Sequence, residues 1–143
     1  MAVLYPSQEW CDEWKNAINS NKACREKGEN WGVEFDGTFL FEIAADEGLQ
    51  ETRYIYFDGK GGTCHQARIV PGPQELQVGF HVRGPYSIYK KVVKGEMHFI
   101  ESLVRGKIRR LSGDFGKILR NAPFIGELAA SISSFEAEYL EPE

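Results

Sequence analysis

The sequence predicts an α+β domain built on a five-stranded, mainly antiparallel sheet with helices covering one face. Apolar residues first follow the helical period, then alternate from about residue 38 to residue 82, and later return to the helical period. Four alternating segments follow one another, and a fifth is embedded among the last helices. Grouped strands and grouped helices are typical of an α+β fold with one sheet. At 143 residues the chain has room for one domain, residues 1–143.

Two helices are predicted before the strands. Ser7 is a suitable N-cap for the first of them. Four apolar residues then fall at i, i+4, i+7 and i+8 and make one stripe: Trp10, Trp14, Ala17 and Ile18. The polar stretch NSNKACREKGEN predicts a second, short helix that ends at Gly28.

The central part of the chain has the alternating pattern of four strands. They are TFLFEIAAD, TRYIYF, TCHQARIV and ELQVGFHV, with turn residues in DGKGG and PGP between the later ones. Phe39, Phe41 and Ile43 share one face of the first strand. The residues that share one face of the fourth are Leu76, Val78, Phe80 and Val82.

The remaining elements alternate between short helices and one strand. Pro85 is placed to begin the helix YSIYKKVVK, which ends at Gly95, and MHFIESLVR follows as a helix that ends at Gly106. KIRRLSG predicts the fifth strand. Asp114 can cap the helix FGKILRNA, which Pro123 interrupts before FIGELAASISSF resumes. We expect the acidic tail EAEYLEPE to be frayed.

Composition narrows the classes of function. No run of about 18 apolar residues occurs, so we expect no transmembrane helix. The start MAVLYPSQEW lacks the basic and long apolar regions of a secretory signal. Three scattered cysteines fit free thiols in a reducing, cytoplasmic setting better than a disulfide framework.

Charge is unevenly spread along the chain. Residues 1–60, 61–120 and 121–143 have net charges of −6, +7 and −5. The stretch LVRGKIRRLSGDFGKILR alone holds six basic side chains and one acid. Opposite thirds can face each other in the fold, or the middle third can form a positive face that attracts anions. The acidic total and the lack of a recognised motif argue against nucleic-acid binding, and the basic side chains can also protect a strand edge.

The sequence contains no nucleophile elbow or similar local signature of catalysis and no obvious cluster of metal ligands, although residues distant in sequence can still form a triad in space. DGKGGT has its first glycine and its hydroxyl at the wrong positions for a phosphate-binding P-loop. Cys64 and His65 are neighbours on a strand and point to opposite faces, while His81 and His98 have no obvious partners. Glu42 and Asp46 lie too far apart on a strand to act together and are expected to be solvated. We therefore expect no catalytic residue, no metal site and no cofactor.

The order of these elements resembles the sterol-carrier-protein type-2 family of lipid-binding modules. The resemblance is carried by Tyr89 in a helix, the Lys94-Gly95 stop, the helix MHFIESLV and the strand GKIRRLSGD that runs from Gly106 to Asp114. The strand GTFLFEI and the amphipathic first helix fit the same plan. The resemblance covers roughly residues 5–135 and leaves an acidic C-terminal tail.

The resemblance implies an apolar tunnel between the sheet and the helices that carries a fatty acid, a fatty acyl-CoA or a sterol-like lipid without transforming it. The residues expected to enclose the tunnel are Phe39, Phe41, Ile43, Tyr89, Val93, Phe99, Leu103, Ile118, Leu119, Phe124 and Leu128. The cations expected to attract a carboxylate, a CoA phosphate or an anionic membrane are Lys90, Lys91, Lys94, Arg105 and Arg109.

Other interpretations of the same residues stay open. The apolar side chains can instead fill a close-packed core, which would make the protein an interaction module. An accessory or small-molecule-modifying enzyme can use the same scaffold, with an oligomer supplying the polar site, and a homodimer is compatible with the sequence.

Overall fold

A computed structural model describes residues 2–73 and 76–142. It contains a five-stranded sheet packed against helices and a separate two-stranded sheet formed by its first and last strands. The strands are β1 (Val3–Tyr5), β2 (Thr38–Ala44), β3 (Arg53–Lys60), β4 (Thr63–Val70), β5 (Phe80–Pro85), β6 (Arg109–Ser112) and β7 (Ala137–Tyr139). The α-helices are α1 (Gln8–Ser20), α2 (Lys22–Lys27), α3 (Tyr86–Val93), α4 (Phe99–Val104), α5 (Phe115–Arg120) and α6 (Ala122–Ala130), and a 3₁₀ turn follows at Ser131–Ser134.

The sheet has the order β4-β3-β2-β5-β6, so β2 lies at its centre. β2 pairs with β3, β3 with β4 and β5 with β6 in antiparallel fashion, whereas β2 and β5 are parallel. This arrangement confirms the predicted α+β class with a mainly antiparallel sheet of five strands. The parallel pair requires a crossover between its two strands, and β3 and β4 provide it.

Local signals for the helix ends are confirmed. The Ser7 side chain accepts a hydrogen bond from the Trp10 amide, and that of Asp114 accepts one from the Gly116 amide. Gly95 and Gly106 have φ angles of +80° and +73° and end α3 and α4. In these cases the sequence determined the boundary because the interaction lies within a few residues of it.

The fourth strand is shorter than predicted. It begins at Phe80, so Leu76 and Val78 lie outside the sheet, and Glu75 of the predicted segment is outside the described residues. Gly79 marks the change: its amide donates to the Thr38 hydroxyl at 3.0 Å, and a side chain there would collide with the Asp36 backbone.

The C-terminal tail corrects another prediction. Instead of fraying, residues 137–139 form β7 and pair in parallel with β1, placing Val3 opposite Ala137 and Tyr5 opposite Tyr139; Glu143 lies outside the described residues. Neither strand was predicted, because three-residue strands carry no readable period. We call residues 135–141 the C-terminal segment.

The core is unusually aromatic. Trp31 lies fully buried, with its ring centroid 5.3 Å from that of Phe80, 5.8 Å from that of Phe39 and 5.7 Å from that of Phe124. Its indole nitrogen donates to the Gly37 carbonyl at 3.0 Å. These contacts attach the loop before β2 to the centre of the sheet and to α6. Across residues 2–73 and 76–142 we find no helix with the length and apolar character needed to cross a membrane.

Candidate ligand-binding site

An apolar cavity of about 60 Å³ lies between the sheet and the helices. Phe39 and Phe41 of β2 form its floor, while Tyr89 of α3, Leu128 of α6 and Phe99 of α4 contribute to the opposite walls. We call it the inner cavity. Its volume is several times the roughly 10–15 Å³ that a water molecule needs, but its carbon-rich walls offer a water molecule few partners.

A larger groove of about 740 Å³ adjoins the inner cavity. It is bordered by the connection between α3 and α4, by α6 and by Phe135 and Tyr139 of the C-terminal segment. The side chains that border both spaces are Val92, Val93, Phe99, Ile125, Ala129 and Ile132. The groove therefore lies directly beside the inner cavity, and its volume falls within the range of small-molecule sites.

The polar groups in the walls of the inner cavity are neutral. Burial holds the pKa of the Tyr5 and Tyr89 hydroxyls well above the usual tyrosine value, so both stay protonated. The Tyr89 hydroxyl donates to the Val82 carbonyl at 3.4 Å, and the Trp14 indole donates to the Leu128 carbonyl at 2.9 Å. The walls thus offer an apolar surface with a few uncharged hydrogen-bonding groups.

Comparison with known proteins identifies the fold. No protein-family model and no curated protein sequence matches the chain. A crystal structure of sterol carrier protein 2 is 18% identical, covers 90% of this chain and 97% of its own, and superposes with a TM-score of 0.78. A conserved hypothetical protein from Thermus thermophilus, 17% identical, covers 96% of this chain and 94% of its own with a TM-score of 0.82.

The chain has the sterol carrier protein type-2 fold. Apo sterol carrier protein 2 from Yarrowia lipolytica, 13% identical, is a more distant match that covers 92% of this chain and 98% of its own with a TM-score of 0.53. The resemblance predicted from the sequence is therefore confirmed. At these identities the likeness shows the fold, and a ligand has to be argued from the site itself.

Within this sterol carrier protein type-2 fold, six of the residues predicted to enclose the tunnel border the inner cavity. They are Phe39, Phe41, Tyr89, Val93, Phe99 and Leu128. They come from one strand and three helices that meet over the centre of the sheet. Strand alternation and helix periodicity identified them because each lies on the buried side of its element.

The other five predicted residues lie elsewhere. Ile43, Ile118 and Phe124 are fully buried in packed parts of the core, and Phe124 packs against Trp31. Leu103 borders a separate surface depression near β6. Leu119 is 47% exposed, because α5 has only two turns and buries Ile118 instead. None of these five residues borders the inner cavity.

Other wall residues were missed. Tyr5 borders the cavity because β1 is held in place by β7, a contact without a local signal. Trp10 and Trp14 were recognised as one helix stripe, but the stripe did not reveal what it would face. Their aromatic character in an amphipathic first helix was the available signal.

The predicted anion-binding cations do not form one group. Lys90 Nζ lies 3.0 Å from a Glu141 carboxylate oxygen and donates to the Leu140 carbonyl at 3.1 Å. Lys94 Nζ lies 5.2 Å from the centroid of the Tyr139 ring, so both lysines hold the C-terminal segment. Lys91 is exposed on α3.

The two arginines lie away from α3. Arg105 follows α4 and pairs with Glu101 at 3.0 Å. Arg109 lies on β6, where it is paired with Arg83 of β5 in the strand register. The five cations therefore do not form a single headgroup site.

The expectation that Glu42 is solvated is wrong. Its carboxylate is almost buried and accepts from His81 Nε2 at 2.9 Å and from Arg83 Nε at 3.0 Å. His81, for which the sequence offered no partner, gains one because β2 and β5 lie side by side. Asp46 likewise accepts from the Ser87 amide at 3.0 Å at the start of α3. In residues 2–73 and 76–142 no cluster of three or more His, Cys, Asp or Glu side chains is arranged to hold a metal ion.

Proposed function

We propose that this protein binds an apolar ligand, a fatty acid, a fatty acyl-CoA or a sterol-like lipid, and carries it without chemical change. The observation that supports the proposal is the apolar inner cavity and the groove between α3, α4 and α6 that adjoins it. The solved structures with the same fold include proteins described as sterol carrier protein 2, which agrees with it. In this proposal the inner cavity takes one end of the ligand and the groove holds the rest.

Burial of hydrocarbon supplies enough free energy for such binding. Each buried methylene contributes about 0.8 kcal/mol. A chain with about twelve buried methylenes would gain roughly 10 kcal/mol before the costs of association and ordering. The lowest of these costs, about 4 kcal/mol, leaves about 6 kcal/mol, which corresponds to a dissociation constant of tens of micromolar. Binding of this kind needs no charged group inside the protein.

The proposal assigns no catalytic residue. Burial raises the pKa of the Cys11 and Cys64 thiols to about 12, so neither is a thiolate near neutral pH. The tyrosines of the cavity walls are protonated as well. The rival function, an enzyme on this scaffold, would be supported by turnover of a bound acyl ester, which we do not expect.

Displacement of a fluorescent fatty acid tests the proposal. Ala129 borders both the inner cavity and the groove, so the large side chain of Ala129→Trp would take up space in both. We expect this variant to lose at least tenfold in affinity for the fluorescent fatty acid. Ala45→Trp, at an exposed position in the β2–β3 connection, is the matched control and is expected to bind as wild type does. Equal affinity in both variants, or no binding by the wild type, would reject the proposal.

A second observation supports contact with an anionic membrane during transfer. A surface depression of about 430 Å³ near β6, which we call the basic corner, combines apolar and basic side chains. It is bordered by Leu103, Val104, Arg109, Arg110 and Phe115. Val104 is 67% exposed and adjoins Arg105 in the chain. Exposed apolar side chains among basic ones fit a surface of anionic lipid, since the cations attract headgroups and the apolar groups enter the interface.

Vesicle sedimentation tests this contact. We expect binding to phosphatidylcholine vesicles that contain phosphatidylserine and little binding to phosphatidylcholine alone. Replacing Arg109 and Arg110 by Glu should abolish it, because each basic residue near the surface contributes about 1 kcal/mol. Replacing Lys22 and Lys60, both exposed on other elements, by Glu makes the same charge change and should have a smaller effect. Equal loss in both double variants would leave only general charge attraction and reject the basic corner.

A further inference from the structure

The indole nitrogen of Trp10 has an unmet hydrogen-bonding need. Trp10 is 2% exposed and borders the inner cavity. Among the residues that the structure describes, its Nε1–H is the one buried side-chain nitrogen or oxygen group without a hydrogen-bond partner. Trp14, one turn later on the same helix and in the same cavity wall, donates its indole N–H to the Leu128 carbonyl at 2.9 Å. The two tryptophans therefore differ in one respect: Trp10 still has a donor to offer.

The surroundings of Trp10 are aromatic and supply no strong acceptor. Its ring centroid lies 4.6 Å from that of Tyr5 in an edge-on arrangement, 5.2 Å from that of Trp14 and 6.0 Å from that of Phe135. An aromatic face accepts an N–H only weakly. A buried donor left in this condition costs free energy that an oxygen atom at the site would return.

We propose that the Trp10 indole donates to a neutral oxygen at the end of the ligand that enters the inner cavity, a hydroxyl or an ester or ketone carbonyl. The inference rests on the proposed lipid-binding function and deepens it by naming the ligand class. Trp10 is then a specificity-determining residue, because an oxygen-bearing ligand gains a hydrogen bond that a plain hydrocarbon cannot make.

The ligand end in the cavity is neutral rather than ionised. Among the described residues that border the inner cavity there is no lysine, arginine or histidine. A carboxylate placed there would lose its hydration without gaining a cation, which is strongly unfavourable. The charged end of an amphipathic ligand belongs in the groove, whose border includes the polar residues Lys94, Glu96 and His98.

A pair of matched probes tests the inference on the full chain. 1-Dodecanol and dodecane differ by one hydroxyl, and their affinities are measured by displacement of the fluorescent fatty acid. We expect Trp10→Phe to lower the ratio of dodecanol to dodecane affinity about 2- to 10-fold, as the loss of one hydrogen bond predicts. Trp31→Phe makes the same change in a donor that is already satisfied, at a residue that borders neither the inner cavity nor the groove, so its ratio should equal that of the wild type.

Two further measurements separate binding from folding. In proton–nitrogen NMR spectra the Trp10 indole signal, assigned by its absence in Trp10→Phe, should shift downfield with dodecanol and not with dodecane. The melting temperature of the ligand-free protein should fall further in Trp14→Phe than in Trp10→Phe. Trp14→Phe leaves the Leu128 carbonyl without its donor, whereas Trp10→Phe breaks no hydrogen bond.

Each outcome has a distinct meaning. If the ratio of dodecanol to dodecane affinity is unchanged in Trp10→Phe, or if dodecanol does not shift the indole signal, the proposed role of Trp10 is overturned. Trp10 is then a packing residue against Tyr5. If the wild type binds neither probe, the proposed lipid-binding function itself fails. If the wild type binds both with equal affinity, the function stands and this inference is refuted.

Discussion

Lys90 provides the sharpest test of how the C-terminal segment is held beside the groove. Its side chain is 16% exposed, and it joins α3 to the C-terminal segment through the Glu141 carboxylate and the Leu140 carbonyl. The Tyr86 hydroxyl also accepts from the Leu140 amide at 2.8 Å. Phe135 and Tyr139 of this segment border the groove. Lys90→Met keeps the aliphatic stem and removes both polar contacts.

The expected loss can be worked out from exposure. Glu141 is 70% exposed, so screening by solvent reduces its ion pair with Lys90 to about 0–1 kcal/mol. The bond from the ammonium to the Leu140 carbonyl is part-buried and charge-assisted, and such bonds contribute about 1.5–3 kcal/mol. We expect Lys90→Met to cost about 2 kcal/mol. A change of 1–2 kcal/mol alters the population of a locally detached segment by roughly 5- to 30-fold.

The assay combines stability with ligand release. Urea unfolding at pH 7 measures the free-energy change, and stopped-flow dilution of the protein loaded with fluorescent fatty acid measures the dissociation rate. If ligand leaves through the groove beside the C-terminal segment, Lys90→Met should release it about 5- to 30-fold faster. Lys91→Met, at the exposed neighbouring position, is the control and should behave as wild type in both measurements.

Equal stability and equal release rates in Lys90→Met and Lys91→Met would refute the anchoring role of Lys90. Another result would support the prediction from the sequence that Lys90 and Lys91 attract an anionic headgroup. If both variants weakened binding of fatty acid but not of dodecanol, while stability and release of dodecanol were unchanged, the α3 lysines would act as an anion site rather than as an anchor.

Two further predictions concern the buried polar groups. Glu42→Ala leaves His81 and Arg83 without their shared acceptor and should lower the free energy of unfolding by about 1–3 kcal/mol, whereas Glu51→Ala breaks only an exposed pair and should cost less than about 1 kcal/mol in the same urea titration. Burial raises the pKa of the Cys11 and Cys64 thiols to about 12, so their contribution to stability is fully present below the unfolded value near 8.5 and is lost as pH rises towards 12. Iodoacetamide at pH 8 should therefore modify them only after urea unfolds the protein, and rapid labelling of the native protein would contradict their burial.

Much of the fold could be predicted because its signals lie within short stretches of chain. Alternation in TFLFEIA placed Phe39 and Phe41 on one face, and the spacing of Trp10 and Trp14 marked the buried stripe of α1. The caps at Ser7 and Asp114 are likewise local. Where a signal needed a distant partner, as in the pairing of β1 with β7, the prediction was missing or wrong.

By itself the sequence determined the fold class, the order of the five sheet strands along the chain and which face of most elements is apolar, since these follow from the side-chain periods of helix and strand. Only the tertiary structure decided which apolar side chains pack against one another and which leave a cavity between them. Phe124 packs against Trp31 and fills its space, whereas Tyr89 and Phe41 border a void. The same holds for Trp10 and Trp14, where packing alone determines which indole keeps a free donor. The physical reason is that a period tells which way a side chain points, while a cavity or a hydrogen bond depends on what arrives opposite from another part of the chain.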